Sequence, residues 1–223
     1  MEHVRGLSLD LDDTLWPITP VIHGAEAALS RWFADHAPGV LEQLDREDLR
    51  RIRVEVFRDN PELGHDFSAL RRIAIARMLA QAGYAETLAD AAFEAFFAAR
   101  NAVTLFADVL PALERLAAAF PIVALTNGNA QLSRIGLDRH FVATVAARDV
   151  GVCKPHPDMF DAAARALDLP PEQILHAGDD LDHDVSGATA AGFTAMWINR
   201  GGEAAASTPA VRDLAELADR LLG

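Results

Sequence analysis

Five short apolar runs separated by helical patterns limit the possible folds of this chain more than any other feature. The runs cover residues 4–11, 122–125, 142–146, 174–177 and 194–198. Amphipathic patterns over 159–167 and 185–191 separate the later runs, and a loop over 201–209 precedes a last helix over 210–222. Because strands that alternate with helices pair in parallel, the sequence predicts an α/β fold with a doubly wound, Rossmann-like parallel sheet core.

The segment between the first two runs has helical periodicity and no pattern typical of strands. Residues 66–82 and 86–100, for example, place apolar side chains at helical spacing. A crossover between neighbouring parallel strands needs only about one helix, whereas this segment has room for several. We therefore predict an inserted α-helical subdomain over 17–104, with the α/β core formed by residues 1–16 and 105–223.

The composition excludes several classes of partner. With 20 basic and 33 acidic residues the net charge is -13, which argues against nucleic acid or an anionic membrane as the partner. The single Cys153 leaves no internal disulfide and no cysteine-rich zinc site. No run approaches the about 18 apolar residues of a membrane helix, and an acidic motif as early as Asp10 leaves no room for a signal peptide. We expect a cytoplasmic monomer or homodimer.

Carboxylates cluster after two of the predicted strands. Asp10 and Asp12 follow the first run, and the segment 176–184 brings four more, namely Asp179, Asp180, Asp182 and Asp184. The carboxyl ends of parallel strands meet at one edge of a sheet, so we expect both groups in one crevice. Two like charges about 4 Å apart repel by about 4 kcal/mol at an effective dielectric of 20. Proton uptake or a bound cation must relieve this repulsion, unless some of these side chains only cap a turn or a helix.

Oxygen ligands favour Mg²⁺ as the bound cation. His176 and His183 leave a transition metal as the alternative, but neither has a companion at ligand spacing that outweighs the carboxylates. Two further motifs are suited to an anion. Thr126 follows an apolar run, and Asn127-Gly128 predicts a tight turn that opens the next helix, where N–H groups bind phosphate. Lys154 precedes a proline that restricts its backbone, which makes it a candidate counter-ion. The alternatives are an ordinary Asn-Gly turn and a solvated lysine.

Together, these motifs resemble those of the haloacid dehalogenase superfamily. The matching elements are D-x-D-x-T at 10–14, Thr126 after a strand, Lys154 before Pro155, and G-D-x-x-x-x-D at 178–184. Their order and spacing fit along the whole core, and the helical insertion is similar to the C1-type cap of that family. The stretches LDLDDTLWPITPVI, ALTNGNA and LHAGDDLDHDVSGA are similar to bacterial flavin mononucleotide phosphatases that also hydrolyse 5-amino-6-(5-phosphoribitylamino)uracil.

The resemblance implies a role for each motif residue in a phosphatase of small phosphorylated metabolites. Asp10 is the implied nucleophile, which forms an aspartyl-phosphate, and Asp12 is the general acid and base. Thr126, Asn127 and Gly128 would hold the phosphoryl oxygens, and Lys154 would neutralise charge. The implied ligands of Mg²⁺ are Asp10, the Asp12 carbonyl, Asp179 and Asp184. Dehalogenases of the superfamily lack an acidic residue at the position of Asp12, so the resemblance also argues against dehalogenation.

Two residues outside the four motifs are candidate substrate contacts. Trp16 follows the nucleophile loop closely enough to stack on a flat heterocycle, with packing at the cap hinge as the alternative. Arg71 lies on a predicted helix of the insertion, where it would contact a polar group of the substrate or pair with a neighbouring carboxylate. Three other functions remain open at this point: a phosphomutase, a receiver-type signalling module and a non-catalytic phosphate-binding protein.

Overall fold

The computed structural model describes residues 3–202 and 208–223. Within them, all the strands belong to one parallel sheet, and its neighbours run in the order β3-β2-β1-β4-β5-β6. The strands are β1 Gly6–Leu9, β2 Ile122–Thr126, β3 Ala143–Ala146, β4 Ile174–Gly178, β5 Thr194–Ile198 and β6 Ala210–Val211. The chain leaves the central β1 first towards β3 and later towards β6, which is the order of a doubly wound sheet. The predicted α/β fold class is confirmed.

Burial explains why the central strands read as continuous apolar runs. Every residue of β1, β2 and β4 is buried, as expected where both faces of a parallel sheet are covered. The sixth strand corrects the sequence prediction, which gave a helix over 210–222. Ala210 and Val211 pair with β5, and the helix begins after Asp213, whose side chain caps it by accepting from the Glu216 N–H. Most of the predicted 201–209 loop lies outside the described residues.

The chain divides into two compact units. One comprises Met1–Pro17 and Thr104–Gly223, and the other comprises Ile18–Val103. These limits differ by one residue at each junction from those predicted from the sequence.

The helical unit contains no strand in its range, 18–103, all of which is described. Its helices are α1 Ile18–His36, α2 Gly39–Gln43, α3 Arg46–Asp59, α4 Phe67–Gln81 and α5 Ala89–Arg100, with short 3₁₀ turns at Pro61–Leu63 and Glu86–Leu88. Asp45 starts α3 through a capping box with Asp48, and Asp66 caps α4 by accepting from the Ala69 N–H. Apolar residues at helical spacing, such as Leu29 and Phe33 of α1, are buried in one cluster.

The remaining helices belong to the α/β unit. They are α6 Val109–Ala119, α7 Leu132–Ile135, α8 Ala147–Val150, α9 Pro157–Leu167, α10 Gly187–Ala190 and α11 Leu214–Leu222, with 3₁₀ turns at Asp138–His140 and Pro171–Gln173. The helix predicted over 185–191 is in fact a π-helical turn, Leu181–Ser186, followed by the short α10. Among the described residues, no helix is both long and apolar enough to cross a membrane. The compartment and the oligomeric state stay predictions.

Candidate active site

The polar groups of the α/β unit converge at the carboxyl ends of β1 and β4. These two strands are neighbours, and they lie where the chain order of the sheet reverses. Open α/β sheets bind ligands at this switch point. Asp10 follows the last residue of β1, and Asp179 follows the last residue of β4. The two acidic segments therefore meet in one crevice, as the sequence predicted.

Lys154 lies at the centre of this crevice. Its Nζ donates to Asp10 Oδ1 and to Asp184 Oδ1, each at 2.6 Å. Only 2% of the lysine side chain is exposed. Burial alone would lower the pKa of the ammonium group, but the carboxylates of Asp10 and Asp184 outweigh burial and raise it above its ordinary value. Lys154 is thus a buried cation paired with two carboxylates, and the alternative of a solvated lysine is wrong.

The two carboxylates that share Lys154 are not equivalent. Burial raises the pKa of Asp10 well above its ordinary value, and the charges of Asp184 and Asp179 raise it further against the opposing effect of Lys154. Burial acts in the same direction on Asp184, but Lys154 and His176 overcome it and hold the pKa of Asp184 below its ordinary value. Lys154 Nζ lies at the same distance from both carboxylates, so one negative charge of this group is uncompensated when both carboxylates are ionised.

Asn127 fixes the backbone of Lys154. Its side-chain Oδ1 accepts from the Lys154 N–H at 2.7 Å, and its Nδ2 donates to the Lys154 carbonyl at 3.1 Å. The amide of Asn127 thus pairs with both backbone groups of a residue 27 positions later. This contact explains why an asparagine suits the position after β2, and it gives Asn127 a positioning role that the sequence did not reveal.

Several groups of the α/β unit form hydrogen bonds with the Asp184 carboxylate. Its Oδ2 accepts from the Asp180 N–H at 3.0 Å, and its Oδ1 lies 3.1 Å from His176 Nε2. A Cβ on Gly178 would collide with the Asp184 carboxylate, so glycine is required where the carboxylate approaches the end of β4. Asp180 itself caps the π-helical turn by accepting from two backbone N–H groups. The capping alternative is therefore correct for Asp180.

His176 connects Asp184 to the neighbouring strand. The ring is fully buried, and its Nδ1 lies 2.9 Å from Ser8 Oγ, the residue aligned with it on β1. Burial lowers the pKa of His176, which favours a neutral ring. Ser8 was not predicted as a site residue. Its position inside an otherwise apolar strand, like that of His176, could have indicated a buried polar contact.

Asp179 is held by two different elements. Its Oδ1 accepts from Thr14 Oγ1 at 3.1 Å, and its backbone carbonyl accepts from Trp197 Nε1 at 2.7 Å. Burial and the charge of Asp184 raise the pKa of Asp179 to about 6. Arg200 holds the other side of the nucleophile loop, because its guanidinium donates to the Thr14 carbonyl and forms an ion pair with Asp108. Nothing in the sequence pattern identified Trp197, Arg200 or Asp108.

The acidic residues form a candidate metal site. One carboxylate oxygen from each of Asp10, Asp179 and Asp184 lies within 4.8 Å of the others. Three carboxylates beside one ammonium leave a negative excess, and hard oxygen donors of this kind fit Mg²⁺. The transition-metal alternative gains no support, since both ring nitrogens of His176 are engaged with Ser8 and Asp184. The Asp12 carbonyl stays a predicted ligand.

The structure gives Trp16 a different place from the expected one. Its side chain is fully buried, so it presents no exposed face for a flat substrate ring. The indole Nε1 donates instead to Asp12 Oδ1 at 2.8 Å. The packing alternative describes Trp16 better than the stacking one, because the ring lies inside the unit and contacts the predicted acid and base.

The turn after β2 also differs from the prediction. The Gly128 N–H donates to Thr126 Oγ1 at 2.9 Å, and the next helix, α7, begins only at Leu132 and has four residues. Asn127-Gly128 therefore forms a turn but does not open a helix, since residues 128–131 intervene. Thr126 is buried at the end of β2. Phosphoryl contacts of Thr126, Asn127 and Gly128 stay predictions.

Arg71, the candidate from the insertion, is engaged within the helical unit. Its Nη1 donates to Glu26 Oε1 at 2.7 Å, and its guanidinium lies 4.3 Å from the Phe96 ring centroid. This is the ion-paired alternative considered for Arg71. A contact with substrate stays a prediction.

The fold and the site define an α/β enzyme with a buried lysine and an acidic cluster at the switch point of its sheet. The family model of haloacid dehalogenase-like hydrolases matches residues 4–192. The chain therefore belongs to the haloacid dehalogenase-like hydrolases, as the resemblance of its motifs implied.

Two similar proteins narrow the class of hydrolase to the phosphatases. The chain is 36% identical over 199 residues to the 5-amino-6-(5-phospho-D-ribitylamino)uracil phosphatase YigB of Escherichia coli, covering 87% of this chain and 83% of the relative. It is 31% identical over 207 residues to the glyceraldehyde 3-phosphate phosphatase of Methanopyrus kandleri, covering 89% and 85%. These matches confirm the predicted enzyme class, a phosphatase of this superfamily.

A similar solved structure is named as a dehalogenase and not as a phosphatase. The chain aligns with a 2-haloacid dehalogenase from Pseudomonas syringae at a TM-score of 0.91 and 38% identity, covering 98% of both chains. The agreement extends the fold assignment over almost the whole chain.

Proposed function

We propose that the protein is a Mg²⁺-dependent phosphomonoesterase that works through an aspartyl-phosphate on Asp10. The observation that carries the proposal is the buried triad of Lys154, Asp10 and Asp184, with 2.6 Å separating the ammonium from each carboxylate. Phosphoryl transfer depends mainly on positioning and on the neutralisation of charge. A buried cation held next to the buried Asp10 carboxylate supports this chemistry.

The proposed first step is attack on phosphorus. A carboxylate oxygen of Asp10 forms a bond to phosphorus while the ester P–O bond breaks, and the leaving oxygen takes a proton from Asp12. Lys154 neutralises charge on Asp10 and on the phosphoryl group. Thr126 and the turn at 127–128 hold the phosphoryl oxygens.

The proposed second step returns the enzyme to its starting state. Asp12, now a carboxylate, takes a proton from water, and the water oxygen attacks phosphorus. The bond from phosphorus to Asp10 breaks, which releases inorganic phosphate and the Asp10 carboxylate. Asp10, Asp179 and Asp184 would hold Mg²⁺, which supplies positive charge against the phosphoryl oxygens when bound.

The proposed substrates are flavin mononucleotide and 5-amino-6-(5-phosphoribitylamino)uracil. The 36% sequence identity to YigB, whose name includes the second compound, supports this choice. We further propose that the helical unit acts as a C1-type cap that selects the leaving group. The second relative, a glyceraldehyde 3-phosphate phosphatase, makes small sugar phosphates the competing substrate class.

The test is phosphate release from a panel of esters with and without Mg²⁺. The panel contains flavin mononucleotide, the ribitylaminouracil phosphate, glyceraldehyde 3-phosphate and hexose phosphates. We expect Mg²⁺-dependent turnover that Asp10→Asn abolishes while the variant keeps the wild-type melting temperature to within a few degrees. Turnover that persists in Asp10→Asn would refute the nucleophile.

Two alternatives are tested on the same samples. Dehalogenation, favoured by the likeness to the Pseudomonas syringae structure, predicts halide release from 2-chloropropionate. We expect none, since Asp12 offers a proton to an oxygen leaving group, whereas halide needs no proton. A phosphomutase would convert one hexose phosphate into an isomer and would require a sugar bisphosphate for full activity.

A further inference from the structure

The contact between Trp16 and Asp12 assigns a task to a residue outside the four catalytic motifs. An indole N–H is a donor only, and a buried one needs an acceptor. Trp16 is fully buried, and its N–H is directed at Asp12 Oδ1 at 2.8 Å. Trp16 therefore donates its single N–H to Asp12, the carboxylate that is proposed to transfer protons.

Backbone hydrogen bonds fix the main chain on either side of the indole ring. The Trp16 carbonyl accepts from the Asp13 N–H at 2.8 Å, and the Leu15 N–H donates to the Leu11 carbonyl at 2.8 Å. The Leu15 carbonyl in turn accepts from the Phe106 N–H at 3.0 Å. The ring itself is restricted by its burial, since none of the side chain is exposed. A buried ring on a fixed main chain is suited to orient the carboxylate that it contacts.

We propose that Trp16 is the positioning residue of the general acid and base Asp12. The indole N–H holds Oδ1 and restricts the orientation of the carboxylate. This inference rests on the proposed phosphatase mechanism. It replaces the stacking role that the sequence predicted for Trp16 with a role in proton transfer.

The dependence of the rate on the leaving group tests the proposal. A nitrophenolate ion leaves without a proton, whereas phenolate and alkoxide leaving groups need one in the transition state. The quantity to compare is kcat/KM, because it reports the steps up to the first irreversible one, the departure of the leaving group. The later hydrolysis of the phospho-enzyme, which also uses Asp12, does not enter it.

Trp16→Phe removes the donor and keeps most of the apolar ring. We expect kcat/KM to fall about 10- to 100-fold for phenyl phosphate and flavin mononucleotide, part of the about 10²- to 10⁴-fold that general acid catalysis contributes. For p-nitrophenyl phosphate we expect a fall of less than about threefold, because the acid contributes little there. Asp12→Asn sets the upper limit and should show the same selectivity, only larger.

Two further tryptophans provide matched controls. Trp197→Phe removes another buried indole N–H, which donates to the Asp179 carbonyl, and its effect should be equal for all leaving groups. Trp32→Phe alters a residue of the helical unit that stacks on His36, and it should leave every kcat/KM unchanged. Near-ultraviolet circular dichroism and the melting temperature check the fold of each variant.

The outcomes separate the two proposals. An equal loss in Trp16→Phe for all leaving groups, or no loss, overturns the positioning role while the phosphatase mechanism stands. No hydrolysis of any ester by the wild type overturns both. If Trp16→Phe does not fold, the indole N–H signals of the three tryptophans replace it, assigned from Trp32→Phe and Trp197→Phe. The Trp16 signal should then move upfield and exchange faster in Asp12→Ala, and an unchanged signal overturns the proposal.

Discussion

Two ion pairs, one in each unit of this protein, differ in their exposure to solvent. In the α/β unit, Lys154 and Asp184 are each only 2% exposed and meet at 2.6 Å. In the helical unit, Arg72 and Asp90 meet at 2.9 Å with exposed fractions of 43% and 86%. The distances are similar, but solvent screens the second pair and cannot reach the first.

The two pairs also differ in their surroundings. The helical unit contains an apolar cluster that includes the stacked rings of Phe93 and Phe97, 5.3 Å apart. The exposed Arg72–Asp90 pair is not part of this cluster. The α/β unit instead buries Lys154 with Asp10 and Asp184, and buried charges of this kind must stabilise each other. Substitutions in the buried pair should therefore be costly, and substitutions in the exposed pair should be nearly neutral.

The largest effect is expected for Lys154→Met. The substitution leaves Asp10 and Asp184 buried without their cation, and breaking a buried pair in this way costs about 3–5 kcal/mol of unfolding free energy. Loss of the charge next to Asp10, the proposed nucleophile, should also lower kcat by at least about 10²-fold. Urea unfolding and phosphate release with saturating Mg²⁺ measure the two effects.

A double variant serves as the control for Lys154→Met. Asp184→Asn removes one of the stranded charges, so Lys154→Met/Asp184→Asn should lose less stability than the sum of the two single variants. Additive losses would show that Lys154 and Asp184 do not act as a pair, contrary to the geometry.

The next effect is expected in the apolar core of the helical unit. Phe93→Ala deletes a buried ring and should cost about 3–5 kcal/mol, as is usual for large-to-small core substitutions. Because Phe93 carries no charge and its ring is buried in the apolar cluster of the helical unit, we expect kcat for p-nitrophenyl phosphate to stay within about threefold of the wild type at a temperature where the variant is folded. Phe57→Ala, at an exposed phenylalanine of the same unit, is the matched control and should cost less than about 0.5 kcal/mol. Equal losses from the two would contradict the assigned core.

The fold could be predicted because its signals are local. Buried parallel strands such as β2 and β4 read as apolar runs, and the helices between them have their own periodicity. The two-residue β6 could not be read, because Ala210 and Val211 are defined by their pairing with β5 and not by any pattern of their own. The π-helical turn at Leu181–Ser186 was also missed, because it contains Asp184, whose position is set by Lys154, 30 positions away, and by His176 of β4.

The candidate site likewise contains residues that could be predicted from the sequence and residues that could not. Asp10, Lys154 and Asp184 were predictable because their motifs follow strands whose ends must meet. The residues that orient them were not, since Asn127 acts on a backbone 27 positions away and Arg200 on a loop 186 positions away. A single sequence carries no mark of such pairings. Trp16 is an example, because its closeness to Asp10 and Asp12 in the sequence is plain, whereas its hydrogen bond to Asp12 is seen only in the structure.

A smaller effect is expected from pH on metal binding in the α/β unit. The pKa of Asp179 is raised to about 6, so below this pH the proposed Mg²⁺ must displace a proton. Affinity should weaken by up to about tenfold per pH unit as Asp179 is protonated below pH 6, and protonation of Asp10, whose pKa is also raised, adds to this dependence. The same shift in pKa determines how the stability of the metal-free protein depends on pH. The folded state binds the Asp179 proton more tightly than the unfolded chain does, so the contribution of Asp179 to the free energy of unfolding falls as pH rises from about 4 to 6.

Calorimetric titration with Mg²⁺ at pH 5.0, 6.0 and 7.5, in two buffers of different ionisation enthalpy, measures both the affinity and the protons released. Asp179→Asn is the matched variant, and it should bind more weakly with a flatter dependence on pH. Mg²⁺ affinity that is equal at pH 5.0 and 7.5 in the wild type would show that Asp179 is not a ligand.

The smallest effect is expected for the exposed pair of the helical unit. Asp90→Asn removes the partner of Arg72 but leaves its guanidinium 3.7 Å from the Phe93 ring centroid, so the loss should be below about 0.5 kcal/mol and should vanish in 1 M salt. Arg72→Met also removes the cation–π contact and should cost up to about 1 kcal/mol, part of it insensitive to salt. A loss above about 2 kcal/mol for Asp90→Asn would mean that a solvated pair contributes as a buried one does. Exposure would then not be the property that separates the charges of the two units.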